Sequence, residues 1–443
     1  MASVATNNTK KVLSSIGFFA LTLFVFSSLL IVSQPALAQM FCTVDQVTNE
    51  QVDDSDQPVI SSDGNLIAFR SEADFIGENP ESNDEIFIYN VADKVFTQAT
   101  FATSGNSNRP FISRDGKLVS FSSRGNINGV PNNGSNQLFL YDVMTATNTQ
   151  ITNENENSGS SSISGDNTQI AFSSDADLTG GNPLNEDQIF LYDIAGNSFK
   201  QITNSVFGIT DDPSSNFDGN LVAFESSADL TGQNPVPGGI RQIYLYNRDA
   251  DILTQVTANT AGSNSVSGNL LDDTGSLFAF AGTGNPNGGG SNFPTGGSQI
   301  YFFDGNYPIE QITTSQDALA RVGSISQDGS CIVFSSEDDI TGQNPQGSVQ
   351  VFIYDIASDE FTQVTNGSIN INGAPLANRD CSRITFNVRV RTDITNVSQI
   401  FVASCFDKSE FEVPTLSEWG LIAMASILGI VGFMVARRRK VMA

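Results

Sequence analysis

The chain has 443 residues, with 21 Lys plus Arg against 48 Asp plus Glu, four cysteines and no histidine. The missing histidine excludes a Ser-His-Asp triad, a Cys-His pair and the His-containing zinc sites, leaving carboxylates, Lys, Tyr, Ser/Thr and backbone groups for any chemistry. The acidic excess, formally −27 at pH 7, repels nucleic acid and anionic lipid, so no nucleic-acid partner is expected.

Residues 1–38 read as a secretory signal peptide. Lys10 and Lys11 precede an apolar run from Ile16 to Val32, and Ala36-Leu37-Ala38 supplies the small-x-small cleavage site, which puts the cut between Ala38 and Gln39. An uncleaved membrane helix is the alternative. A Sec-type export machinery is the implied partner, and an extracytoplasmic location follows.

Residues 39–412 are a repeat, and the period decides the fold. The tripeptide Gln-x-Thr recurs with its Thr at 48, 100, 152, 203, 257, 313 and 365, at intervals of 51 to 56 residues. Each interval holds a short segment such as PVIS at 58–61, an Asp-Gly turn or a relative of it, an apolar strand such as LIAF at 66–69, and a strand such as EIFIYN at 85–90. Four short strands per unit, here A to D, with β-branched and aromatic residues and no helical period, predict an all-β, seven-bladed propeller. The first D strand, Val44 to Thr48, precedes any A strand, and the last unit ends after its C strand near Cys405. Ring closure reconciles the two, with 366–405 and 41–48 sharing one blade and no edge left open.

Cys42 and Cys405 flank these two closing strands, so antiparallel pairing brings them together across 363 residues. Export permits a disulfide there, and a loop of that length makes it worth several kcal/mol on the chain-entropy model. Cys331 and Cys381, near the A-B turns of adjacent blades, form a second candidate pair; free thiols are the alternative for both.

The D-to-A and B-to-C connections share one face and are the long ones, carrying Asp53, Asp54 and Asp56, Glu154 and Glu156, Asp211 and Asp212, and a Gly/Asn-rich insertion from Gly282 to Ser298. Long loops on a rigid scaffold carry binding, so a protein or glycan ligand is expected on that face, around the central channel. In the B-to-C loops a motif recurs from Asp177 to Pro183, Asp229 to Pro235 and Asp339 to Pro345, with a looser copy from Asp74 to Pro80. Its oxygen-rich side chains suit calcium as a cofactor; Asp, Asn, Gly and Pro also build turns for conformational reasons alone, and recurrence favours that reading.

The repeat text, S-x-D-G-x-x-I-A-F followed by Q-I-F-L-Y-D and Q-x-T, resembles the WD-like propeller repeats of TolB and of prolyl-oligopeptidase-type peptidases over residues 41–405. The resemblance implies the fold. It implies no shared function, because the peptidases' hydrolase domain and TolB's extra N-terminal domain have no counterpart here, and the tryptophan common in the A strands of those repeats is missing.

At the C-terminus, Val413, Pro414, Thr415, Leu416, Ser417, Glu418, Trp419 and Gly420 precede an apolar segment ending at Ala436 and the cluster Arg437 to Lys440. The segment 419–436 reaches the lower end of membrane-spanning lengths, and the cluster keeps the C-terminus cytoplasmic. Motif, short helix and basic tail over 413–443 resemble the IPTL-CTERM sorting signal, with Val413 in place of the usual Ile. This implies membrane attachment through the helix, then recognition by an exosortase-like protease near Pro414-Thr415 and passage to the periplasm or cell surface; a permanent anchor is the alternative.

With no catalytic residue assigned, the expectation is a non-catalytic binding or interaction module. The alternatives are a carboxylate-dependent carbohydrate-active hydrolase or lyase using channel-face Asp/Glu, which needs two acids some 5 to 9 Å apart, and a purely structural envelope or matrix component.

Overall fold

The computed structural model describes residues 40–407 apart from 130–132, 235, 266–269, 289–296, 315–319, 368–370 and 392–394. The expected signal segment with Ala36, Ala38 and Gln39, and the tail from Val413 with its apolar segment, lie outside the described residues. Among those described, no helix is long and apolar enough to cross a membrane.

Seven sheets of four antiparallel strands make up the domain. The first blade is Ser55–Ile60, Leu66–Ser71, Glu85–Asn90 and Val95–Gln98, from the channel outwards. Its B and C strands read as nearly unbroken apolar runs because both faces of a blade are buried against neighbours, the condition that elsewhere produces such runs in parallel sheets. The Phe of each I-A-F lies opposite the aromatic of each Q-I-F. These seven pairs stack with centroids 5.5 to 6.1 Å apart, from Phe69–Phe87 round to Phe386–Phe401. Burial of two aromatics per blade is the largest repeated hydrophobic contribution.

The Gln-x-Thr signal has a physical cause. In the third blade the Thr203 hydroxyl donates to Gln188 Oε1 (2.8 Å) and accepts from Ile189 N (2.9 Å), while Gln201 Nε2 donates to the Thr203 carbonyl (2.8 Å). The clasp satisfies buried polar groups where the outer strand leaves the sheet. The first blade puts Glu85 where the others have Gln, and its carboxylate accepts from the Thr100 hydroxyl and, at 2.7 Å, from Ala102 N. Burial pushes the Glu85 carboxyl up to about 7.

A raised carboxyl pKa means that the folded state holds its proton while the unfolded chain releases one, so stability falls as pH rises from the ordinary carboxylate range through 7. Glu85→Gln is therefore expected to melt higher than the parent at pH 8, by the equivalent of about 2–3 kcal/mol, and to match it near pH 4.5. Thermal melts of both proteins across this range check it; an unchanged pH slope contradicts it.

The last blade is composite. Its order is Met40–Gln46, Asn396–Asp407, Arg383–Arg391 and Leu376–Ala377, so the N-terminal strand completes it. Val47 N donates to the Ile400 carbonyl (2.8 Å), and the Thr48 hydroxyl accepts from Ile400 N (2.9 Å), the clasp formed across the closure. Disulfides join Cys42 to Cys405 and Cys331 to Cys381. Both end in this blade.

The A-B turns close one end of the channel. At six of the seven junctions between blades, backbone bonds link neighbouring turns, among them Ser62 N to Arg114 O (2.9 Å), Asp273 N to Gln327 O (2.7 Å) and Arg379 N to Ser62 O (3.1 Å). Side chains then cross the opening. Arg114 and Arg379 both pair with Asp273, Ser62 bonds Gln327, and the Arg114 guanidinium lies 5.7 Å from the Phe217 ring centroid. What remains open is the face bearing the long loops.

Candidate functional site

At the open face the channel widens into a cavity of about 430 Å3, within the size range of ligand sites. Its deeper wall is apolar, with Val59, Ile60, Phe111, Ile112 and Leu376, and its mouth is polar, with Asp56, Gln57, Arg109, Ser160 and Asp212.

The mouth residues owe their placement to a shared backbone feature. In four consecutive blades the innermost strand is bulged: the register with its neighbour shifts between Asp56 and Val59, Asn108 and Phe111, Gly159 and Ser161, and Asp211 and Ser214. Inside each bulge sits one non-glycine residue in the left-handed region, Gln57 (φ 52°), Arg109 (φ 54°), Ser160 (φ 38°) and Asp212 (φ 52°). A bulge re-aims a side chain that strict alternation would send elsewhere. Such backbone costs roughly 1–3 kcal/mol per residue and persists where surroundings enforce it, typically at functional sites. Pro58, Pro110 and Pro213 follow three of these residues, removing an N–H that the bulge leaves without a ladder partner.

Hydrogen bonds and an ion pair link these residues round the mouth through Asp211. Gln57 Oε1 accepts from Arg109 N (2.7 Å), Arg109 Nη1 bonds the Ser160 hydroxyl, and the same nitrogen lies 3.7 Å from Asp211 Oδ2. Asp211 also accepts from the Ser173 hydroxyl (2.7 Å) and from Asp212 N (2.9 Å). Burial, with Asp211 beside it, pushes the Asp212 carboxyl up to about 6. The same two causes act on Asp187, also pushed up to about 6. Arg109, its side chain 51% exposed, is the cation among these acids that faces the opening.

A second layer differs in charge from blade to blade. In the first, Arg70 holds Asp56 with two bonds (2.8 and 2.6 Å) and reaches Asp84 (3.3 Å). In the fourth, Arg241 pairs with the fully buried Glu225. Mouth and second layer together offer donors and acceptors at fixed positions, and two carboxyls able to hold or release a proton near neutral pH.

Of the acids named from the sequence, Asp56, Asp211 and Asp212 come together here. Asp54 is used elsewhere, its carboxylate accepting from Ser398 N (2.7 Å) across the closure. Glu154 and Glu156 contribute their backbone carbonyls to Gln137 (2.8 and 3.1 Å). The insertion from Gly282 is described only in part. Gln57, Arg109 and Ser160 were missed; the signal for two of them was Asp/Asn-x-Pro at the start of the A strand, in SDQP and SNRP.

The calcium candidates have a conformational role in the fold. Asp177, Asp229 and Asp339 each accept from the backbone N–H of the asparagine five residues on, at 2.8, 2.9 and 2.6 Å, and Asp74 does the same at 2.9 Å. Asn182 in turn donates to the carbonyls of Asp175 and Glu186 (3.0 and 2.8 Å). Among the described residues no group of three or more Cys, Asp and Glu is placed to hold a metal ion.

Residues 413–439 match the IPTL-CTERM motif, so the chain carries a C-terminal sorting signal and is marked for the outside of the cytoplasm. No curated protein matches the chain significantly. Among solved structures, the chain is similar to the oligogalacturonate lyase of Vibrio parahaemolyticus at 16% identity, with 82% of this chain and 93% of that one covered and a TM-score of 0.55. An oligogalacturonate lyase in complex with manganese gives 14% identity, 83% and 97% coverage and a TM-score of 0.53. TolB from Acinetobacter baumannii gives 15% identity, 73% and 76% coverage and a TM-score of 0.38. At these identities the likeness shows the fold. It also corrects the expectation that the chain is not an enzyme. That expectation rested on the missing histidine, the lack of a hydrolase domain and the lack of a specific catalytic motif, yet nearly the whole of each lyase chain matches this one.

Proposed function

We propose that the protein is exported by its signal peptide, passed outward by an exosortase-type protease acting on its tail, and binds a glycan in the open mouth of its channel. The observation that carries this is the ring of Gln57, Arg109, Ser160 and Asp212, raised on four strained bulges above a cavity of about 430 Å3. A concave mouth with the exposed Arg109 guanidinium among hydroxyl, amide and carboxyl groups suits a hydroxyl-rich chain, which both donates and accepts hydrogen bonds along its length. The floor of crossed side chains leaves such a ligand one way in.

A second reading, cleavage of the bound glycan, is favoured by Asp212. A carboxyl titrating near 6 in a cleft is poised as a general acid or base. The lyases named above act on oligogalacturonate with this fold, one of them in complex with manganese. The described residues do not fit that metal, since no three carboxylates or thiols gather among them; proton transfer falls to Asp212, with Arg109 holding the sugar.

The test is titration of the full-length chain with oligosaccharides cut from pectin, xylan, cellulose and alginate, following heat of binding and release of new chain ends. Affinity for the neutral xylan and cellulose series is expected to rise as pH passes upward through about 6, where Asp212 becomes a charged acceptor, that for the uronate-bearing pectin and alginate series to fall there by like-charge repulsion, and either step to be lost in Asp212→Asn. Failure of all four series to bind overturns the proposal, and a pH step surviving in the variant removes Asp212 from it.

A further inference from the structure

Resting on the glycan reading, we infer that the site takes an extended saccharide chain rather than a single sugar, and that Phe207 forms a second subsite on the rim. The loop between the strands Ser198–Gln201 and Thr210–Ser215 exposes three apolar side chains, Val206 (62%), Phe207 (48%) and Ile209 (44%). Exposed apolar groups gathered on one loop of the open face mark an interaction surface.

The loop is held. Ser205 Oγ donates to the Phe207 carbonyl (2.7 Å), Ile209 N donates to Ser227 Oγ (3.0 Å), and Ser227 N donates to the Ile209 carbonyl (2.9 Å). The Phe207 ring rests on Gly238, where an added Cβ would come within 3.1 Å of Cε2. A glycine there lets the ring lie down against backbone while about half of the residue stays open to solvent.

Phe207 is five residues from Asp212, so their Cα atoms lie within about 18 Å of each other, the reach of five extended residues. A chain held at Arg109 and Asp212 and continuing out of the mouth over this loop meets the ring. The C–H-bearing face of a sugar packs on an aromatic ring, which supplies apolar contact where Arg109 supplies hydrogen bonds.

The experiment uses the full-length chain and the mono- to hexasaccharides of whichever of the four polymers binds tightest. Parent affinity is expected to climb with length. Phe207→Ala is expected to leave the monosaccharide unchanged and to weaken the longer chains by up to about tenfold, with an unaltered melting temperature because the ring is half exposed. Arg109→Ala is expected to weaken every length. A parent-like length dependence in Phe207→Ala overturns the subsite and leaves the glycan reading standing; indifference of every length to Arg109→Ala overturns the glycan reading itself.

Discussion

Serine at both Cys42 and Cys405 is expected to lower the unfolding free energy by about 6 kcal/mol on the chain-entropy model. The bond joins residues 363 apart in sequence, so it removes more freedom from the unfolded chain than any local cross-link. It also sits where the ring would part first. The composite blade has an innermost strand of only two residues, Leu376–Ala377, and its outermost strand is tied in by hydrogen bonds such as Val47 N to the Ile400 carbonyl (2.8 Å). Denaturant unfolding of the oxidised parent and the double variant gives the difference directly. Amide exchange is expected to show the N-terminal strand opening first in the variant, and a variant with the parent's midpoint would show that closure is secured without the bond. Loss of the Cys331–Cys381 bond, which spans 50 residues, is expected to cost about 4 kcal/mol on the same model, without freeing the N-terminal strand.

The second large effect is at Arg109. Its guanidinium is shared between Ser160 and Asp211, and its side chain is 51% exposed at the mouth. Replacing it with alanine removes a charged donor worth roughly 1.5–3 kcal/mol to a bound acceptor, so glycan affinity is expected to fall about 10- to 100-fold. Melting temperature is expected to change little, because a strained left-handed residue remains in either protein. Calorimetric titration of both proteins checks it, and equal affinities would overturn the glycan reading of the mouth.

Much of the fold was legible because each repeated residue has a repeated physical task. Gln-x-Thr recurs because every blade must satisfy the same buried polar groups, and I-A-F with Q-I-F recurs because every blade stacks one aromatic pair. The orphan first strand and the cysteines at both ends led to closure for the same reason: a propeller tolerates no open edge. The site was legible only to the level of a face. Period-two alternation places the A-strand residues but takes no account of a bulge, and the bulge is what turns Gln57, Arg109, Ser160 and Asp212 into the mouth. Proline after the bulge marks three of them, but Ser160 is followed by Ser161 and carries no such sign. Acid count misled in the other direction, since Asp54, Asp177, Asp229 and Asp339 spend their carboxylates on backbone N–H groups within the fold.

The most direct test of the account is a crystal structure of the protein with the tightest-binding oligosaccharide. A sugar ring lying within hydrogen-bond distance of the Arg109 guanidinium and the Asp212 carboxyl, at the mouth of the channel, is the predicted result. A sugar seated on the outer rim or against the A-B turns, with the mouth filled by solvent, would contradict it.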